Sequence, residues 1–192
     1  MNLIRDGKGR GYVVGVNADN RLLASCVVLS HEFYHSDKDE SLYSIQFEHQ
    51  QTQSGGTEIV GYITNTGDNP LAFGRLWFTT QDSTAVTWKL HVAPTGMSGG
   101  ADVDPLNMNT GSANTLSGTV KHNNNAASAI TVTSVGTNWF TLNQLNRGTY
   151  DIDFNGGFLL AKNKTLMVLV AGAVNGAKSR IAFELWVEDG HE

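Results

Sequence analysis

Cysteine, proline and charge are scarce in this 192-residue chain, and each shortage excludes something. Cys26 is the single cysteine, so no intrachain disulfide can form, and nothing marks an oxidising compartment. It has no recognisable partner for nucleophilic chemistry and reads as a small apolar filler. Charged residues make up only 16% of the chain, and a formal net charge of −5 argues against a general nucleic-acid binder. The longest apolar run, Leu166 to Ala171, is far too short to span a bilayer, and the opening residues lack the apolar stretch of a secretion signal. The G-x-x-x-x-G-K-[ST] of a phosphate loop does not occur, and Met97-Ser98-Gly99, within Gly96-Met97-Ser98-Gly99-Gly100, reads as a flexible turn and not as the elbow of a serine hydrolase. The expectation is a protein folded in a reducing cytoplasm, without a membrane.

What is abundant is turn chemistry. Twenty-one glycines and seventeen asparagines against three prolines point to short strands joined by Asn/Gly turns, in one domain of adequate core size. Four of the glycines (Gly7, Gly9, Gly11, Gly15) and four basic residues (Arg5, Lys8, Arg10, Arg21) fall in the first twenty-two positions. Gly9, Gly11 and Gly15 give G-x-G-x-x-x-G, the wrong spacing for a dinucleotide loop. With no period that could close a core, residues 1–41 read as an extended N-terminal arm and linker, including a possible short helix over 23–36.

From Leu42 the hydrophobic period switches to two. Tyr43, Ile45 and Phe47 alternate with polar residues, as do Val86, Trp88, Leu90 and Val92. Further strands are expected over 58–64, 75–80, 119–122, 130–135, 139–142, 149–154, 165–171 and 180–187, with turns at Asn123-Asn124-Asn125 and Asn155-Gly156-Gly157 among others. The expected fold is an all-β, antiparallel, jelly-roll-like sandwich over 42–192. The 165–171 strand is apolar on both faces, so something other than water should cover Met167 and Leu169. In the last strand Ile181, Phe183, Leu185 and Val187 alternate inward, which puts Trp186 on the solvent side. Met167, Leu169 and Trp186 together suggest a subunit interface.

Several constellations invite chemistry. His31-Glu32-Phe33-Tyr34-His35 is a literal H-E-x-x-H, which on a helix would bind Zn²⁺ through two imidazoles, with Glu48 or Glu58 as third ligand. The competing reading is a solvated turn or short helix, because charge follows at Asp37 and the downstream chain is strands. Asp151 and Asp153 share a strand face about 7 Å apart, a spacing seen in glycosidase pairs, although such carboxylates usually face each other across a cleft. Asp102, Asp104, Asn107 and Asn109 offer oxygen ligands but lack the closing Glu of a calcium loop. Trp77, Trp139 and Trp186 are candidate stacking platforms for sugars, with Trp88 on an inward phase.

The order of parts is also familiar. Arg5-Asp6-Gly7-Lys8-Gly9-Arg10-Gly11-Tyr12, then Val16-Asn17-Ala18-Asp19-Asn20-Arg21-Leu22, Pro105-Leu106-Asn107-Met108-Asn109-Thr110-Gly111-Ser112 and Ala182-Phe183-Glu184-Leu185-Trp186-Val187-Glu188 resemble a group of tailed-bacteriophage virion proteins. These are the capsid decoration, or cement, proteins and related head-surface proteins. The resemblance implies a homotrimer with a jelly-roll body, whose arm residues Arg5, Lys8, Arg10, Tyr12, Arg21 and Leu22 touch the shell. The implied role is structural and not enzymatic, with no cofactor and no catalytic or metal residues. Its partners would be a major capsid protein or another virion protein and further copies of itself, with neither nucleic acid nor membrane. Its place would be the virion surface, after assembly in the host cytoplasm. The alternatives are a glycan- or receptor-binding appendage and a zinc hydrolase using His31, Glu32 and His35.

Overall fold

A computed structural model describes residues 3–5, 13–16, 22–23, 35–36, 40–52, 54–81, 85–123, 129–145, 147–172 and 174–188. The body consists of β4 (Leu42–Gln50), β5 (Thr57–Asn65), β6 (Leu71–Thr80), β7 (Val86–Val92), β8 (Ala101–Asp102), β9 (Leu106–Asn107), β10 (Gly118–His122), β11 (Thr137–Gln144), β12 (Gly148–Leu160), β13 (Thr165–Ala171) and β14 (Lys178–Val187). One sheet has the order β11-β7-β13-β5-β10-β8 and the other β12-β6-β14-β4-β9. All strand pairs are antiparallel. The protein is an all-β sandwich, and no helix among the described residues is long and apolar enough to cross a membrane.

The period of two builds the core directly. Tyr43, Ile45 and Phe47 of β4, Leu76 and Phe78 of β6, Ile181, Phe183 and Leu185 of β14, Trp88 and Leu90 of β7, and Leu166, Val168 and Val170 of β13 form one buried cluster between the sheets. Phe183 meets Phe47 and Phe73 edge-on, both at 5.8 Å. The one polar group of Trp88 is satisfied: its Nε1 donates to Gln144 Oε1 at 3.1 Å, and Gln144 Nε2 donates to Gly148 O at 2.7 Å. That pair ties the end of β11 to the start of β12.

Two sequence expectations change. The Asn155-Gly156-Gly157 turn lies inside the thirteen-residue β12, where a register shift between Asp153 and Phe158 absorbs it as a bulge. The strand expected over 130–135 is instead a covering loop, held to residues 95–98 by isolated bridges at Thr95–Ser134 and Ser98–Thr131. Its partner segment carries positive φ at Ala93, Gly96, Gly99 and Gly100, which prevents a continuous ladder. Within the arm, β1 (Leu3–Arg5), β2 (Val13–Val16) and β3 (Leu22–Leu23) pair antiparallel as a three-stranded sheet. Of the helix expected over 23–36, Leu23 belongs to β3, residues 35–36 form part of a wide helical turn, and the rest lies outside the described residues.

Candidate functional site

At one end of the sandwich the inward face turns from apolar to polar. The buried series Tyr43, Ile45, Phe47 on β4 ends in His49, and the series Leu185, Phe183, Ile181 on β14 ends in Ser179. Ser179 lies directly across from His49 on one side and Thr80 on the other, so the three share one row of the sheet. On the opposite sheet, Val120 of β10 is followed at the same phase by His122, and Val60 of β5 is preceded by Glu58. An open cleft of about 470 Å³ lies at this end, its wall including His49, His122, Asn123, Ser179, Lys178 and Arg180. Arg180 is paired with Glu48 at the rim.

The groups in this wall are held from behind. His49 Nε2 lies 2.7 Å from Glu58 Oε2, and the Thr52 amide and hydroxyl donate to Glu58 Oε1 at 2.9 and 2.8 Å. Asn123 Nδ2 donates to Ile59 O at 2.8 Å. Four buried polar atoms of the wall have no hydrogen-bond partner: His49 Nδ1, His122 Nδ1, Asn123 Oδ1 and Ser179 Oγ. Such atoms are rare in native interiors, so their concentration at one cleft marks it as the candidate site. Burial pushes His49 below the ordinary histidine range; the hydrogen bond and charge of Glu58 oppose this, and His122 adds to it. Among the described residues, no three His, Cys, Asp or Glu side chains converge as a metal cage.

No family model, curated protein or solved structure matches the chain.

The residues singled out in the sequence lie elsewhere. Arg5 ends β1 opposite Val13, and Leu22 starts β3 opposite Val16, whereas Lys8, Arg10, Tyr12 and Arg21 lie outside the described residues. Met167 and Leu169 are indeed covered, but by this chain itself: Tyr62, Ile59, Met97, Ile130, Val132 and Val135 close over them. Trp186 is corrected outright. It occupies the outward phase yet is only 1% exposed, packed with Leu42 and Ala72 and stacked on His35 at 5.2 Å. Gly74 and Gly156 make the flat seat for its indole, whose Nε1 donates to Glu188 Oε2 at 2.8 Å. These three residues are therefore spent inside the monomer.

Of the H-E-x-x-H, His31 and Glu32 lie outside the described residues, while His35 is buried against Trp186 with Nδ1 3.1 Å from Ser41 Oγ. The two offered third ligands are engaged, Glu48 by Arg180 and Glu58 by His49. Asp151 and Asp153 are exposed on β12, and Asp153 pairs with Arg75 at 3.3 Å. Asp102 pairs with Lys121 at 2.6 Å, and Asn107 and Asn109 fold their own loop through hydrogen bonds to Glu40 O and the amides of Asn109 and Gly111.

Another buried histidine, His91 of β7, lies under the covering loop with both ring nitrogens unpaired. Burial lowers its pKa; the nearby backbone at Gly136 and Val135 opposes the shift without closing a hydrogen bond, and Lys89 reinforces it. A depressed folded-state pKa means the unfolded chain takes up the proton first, so His91 subtracts stability as pH falls below about 6.5. The unfolding midpoint should drop between pH 7.5 and 5, and the drop should be shallower in His91→Leu. The difference should stay below the ~1.4 kcal/mol per pH unit that one proton sets. Parallel pH profiles for the two proteins would rule out this role.

Proposed function

We propose that this chain is a structural protein of a tailed-phage virion, a decoration or cement protein that docks on the head shell through its N-terminal segment and assembles as a trimer. The observation that carries the reading is the partition of strand pairing. Among the described residues β1, β2 and β3 pair with one another and with neither sheet of the sandwich, which suits a segment whose use lies in another molecule. The body supports a jelly roll, because β4 to β7 and again β11 to β14 alternate between the two sheets along the chain.

The trimer contact is assigned to the side where β11 and β12, each an edge strand of its sheet, come together. There Trp139 is the extra residue of a bulge in β11 and stacks on Phe158 at 4.1 Å, beside Phe154 at 5.5 Å. Tyr150 and Leu159 are exposed on β12, and Leu145 is 65% exposed between the strands. Exposed aromatics beside strands that, among the described residues, are sheet edges are what an interface uses and an isolated monomer avoids. Three copies would then present three arms, raising apparent affinity for a lattice through effective concentration.

Deleting residues 1–23 should leave a folded trimer that no longer sediments with capsids, a loss of at least a hundredfold in apparent affinity. Co-sedimentation, with particle mass by light scattering, measures both parts. Undiminished binding of the truncated protein refutes the docking role. The same exposed Trp139 supports a second reading as a sugar platform, and loss of glycan-array binding in Trp139→Ala would favour it. Trp186, being buried, cannot serve there.

A further inference from the structure

The polar end of the sandwich carries an inference independent of the docking role. Two of its four unpartnered atoms have a fixed sense. Glu58 is an acceptor facing His49 Nε2 at 2.7 Å, so Nε2 carries the proton and the neutral ring keeps an unpartnered lone pair at Nδ1. Asn123 spends its NH₂ on Ile59 O, which leaves the amide oxygen as an acceptor. His122 Nδ1 supplies a second imidazole nitrogen in the same cleft wall. Unpartnered acceptors at this part of the wall, which Lys178 and the Glu48-held Arg180 also line, call for a cation or a hydrogen-bond donor. An imidazole whose other nitrogen is held by a carboxylate is the usual setting of a metal-bound histidine, and no aromatic side chain lines the cleft to stack a sugar.

We propose that this cleft binds one first-row divalent ion of the Zn²⁺ type through His49 Nδ1, His122 Nδ1 and Asn123 Oδ1. Imidazole nitrogen selects such ions over Mg²⁺ and Ca²⁺, which take all-oxygen sets. His49 belongs to the five-stranded sheet and His122 to the six-stranded one, so the ion clips the two layers together where the apolar core gives out. Glu58 acts as a positioning residue, fixing the tautomer and orientation of His49.

The test uses the full chain, stripped with a chelator and dialysed against ZnCl₂ or MgCl₂. One Zn²⁺ per chain should be retained, and at a hundredfold excess over Kd it should raise the thermal midpoint by roughly 5 °C, while Mg²⁺ raises it by nothing. His122→Gln, at a half-buried position, should keep the wild-type circular dichroism and lose the shift. Glu58→Gln should weaken Zn²⁺ roughly 10- to 100-fold. His31→Gln separates this cleft from the H-E-x-x-H segment and should retain the full effect. The proposal fails if Zn²⁺ gives no shift, if the shift survives in His122→Gln or disappears in His31→Gln, or if only monosaccharides or polyols produce one.

Discussion

Trp186→Ala should cost about 3–5 kcal/mol of monomer stability, as large a loss as removing a ring from the central core. The indole is all but completely buried on what is nominally the outer face of the sheet, between Leu42, Ala72 and the His35 ring. Its seat is built for it, since a Cβ at Gly74 would come within 2.8 Å of the indole and one at Gly156 within 2.7 Å. Truncation therefore leaves a cavity that flat backbone cannot fill and strands Glu188, which accepts the indole N–H. Urea unfolding at a dilution where subunits are apart is the right measurement. A subunit-contact tryptophan would leave that monomer value unchanged and lower only the particle mass, and that result would restore the interface role suggested by its phase.

Trp186 also shows where the sequence stops being legible. Period-two alternation places β4, β7 and β14 almost to the residue, because each has a core-facing row that is apolar over most of its length, and a doubly apolar run places β13. Phase says which face a residue occupies but not what lies over that face. For Trp186 the cover is His35, 151 positions away in a segment without strand period; for Met167 and Leu169 it is a loop that reads as a strand because Ile130, Val132 and Val135 are β-branched. The cleft was missed for a related reason. His49 and Ser179 sit at the inward phase of their strands, a detectable irregularity, but only the register of β14 on β4 places them side by side. His122 and Glu58 join them through the other sheet, and no spacing along the chain encodes that. The H-E-x-x-H, by contrast, is conspicuous in sequence, yet its His35 is committed to packing and to Ser41.

The covering loop makes the other large effect. Gly136→Ala should destabilise the protein by about 2–5 kcal/mol, the sum of a left-handed backbone for a residue with a Cβ and of overpacking. Gly136 has φ +78°, and an added Cβ would lie 2.2 Å from Val92 O and 2.7 Å from both Ala93 C and Pro94 N. These are backbone atoms, so no rotamer change relieves the clash, and the chain must move where the loop joins β11. The atoms displaced bound the cover over Met167 and Leu169, each worth about 1.5–3 kcal/mol when buried. A dye that reports exposed apolar surface should therefore bind the variant more strongly before global unfolding begins. Gly55→Ala is the matched control, with φ +71° and nothing within 4 Å of its added Cβ, so it carries the conformational cost without the clash. Its expected loss is about 1–2 kcal/mol. Equal losses at the two positions, with no added dye binding at Gly136→Ala, would mean that the loop is not clamped against β7 and that the outer face of β13 owes its burial to something else.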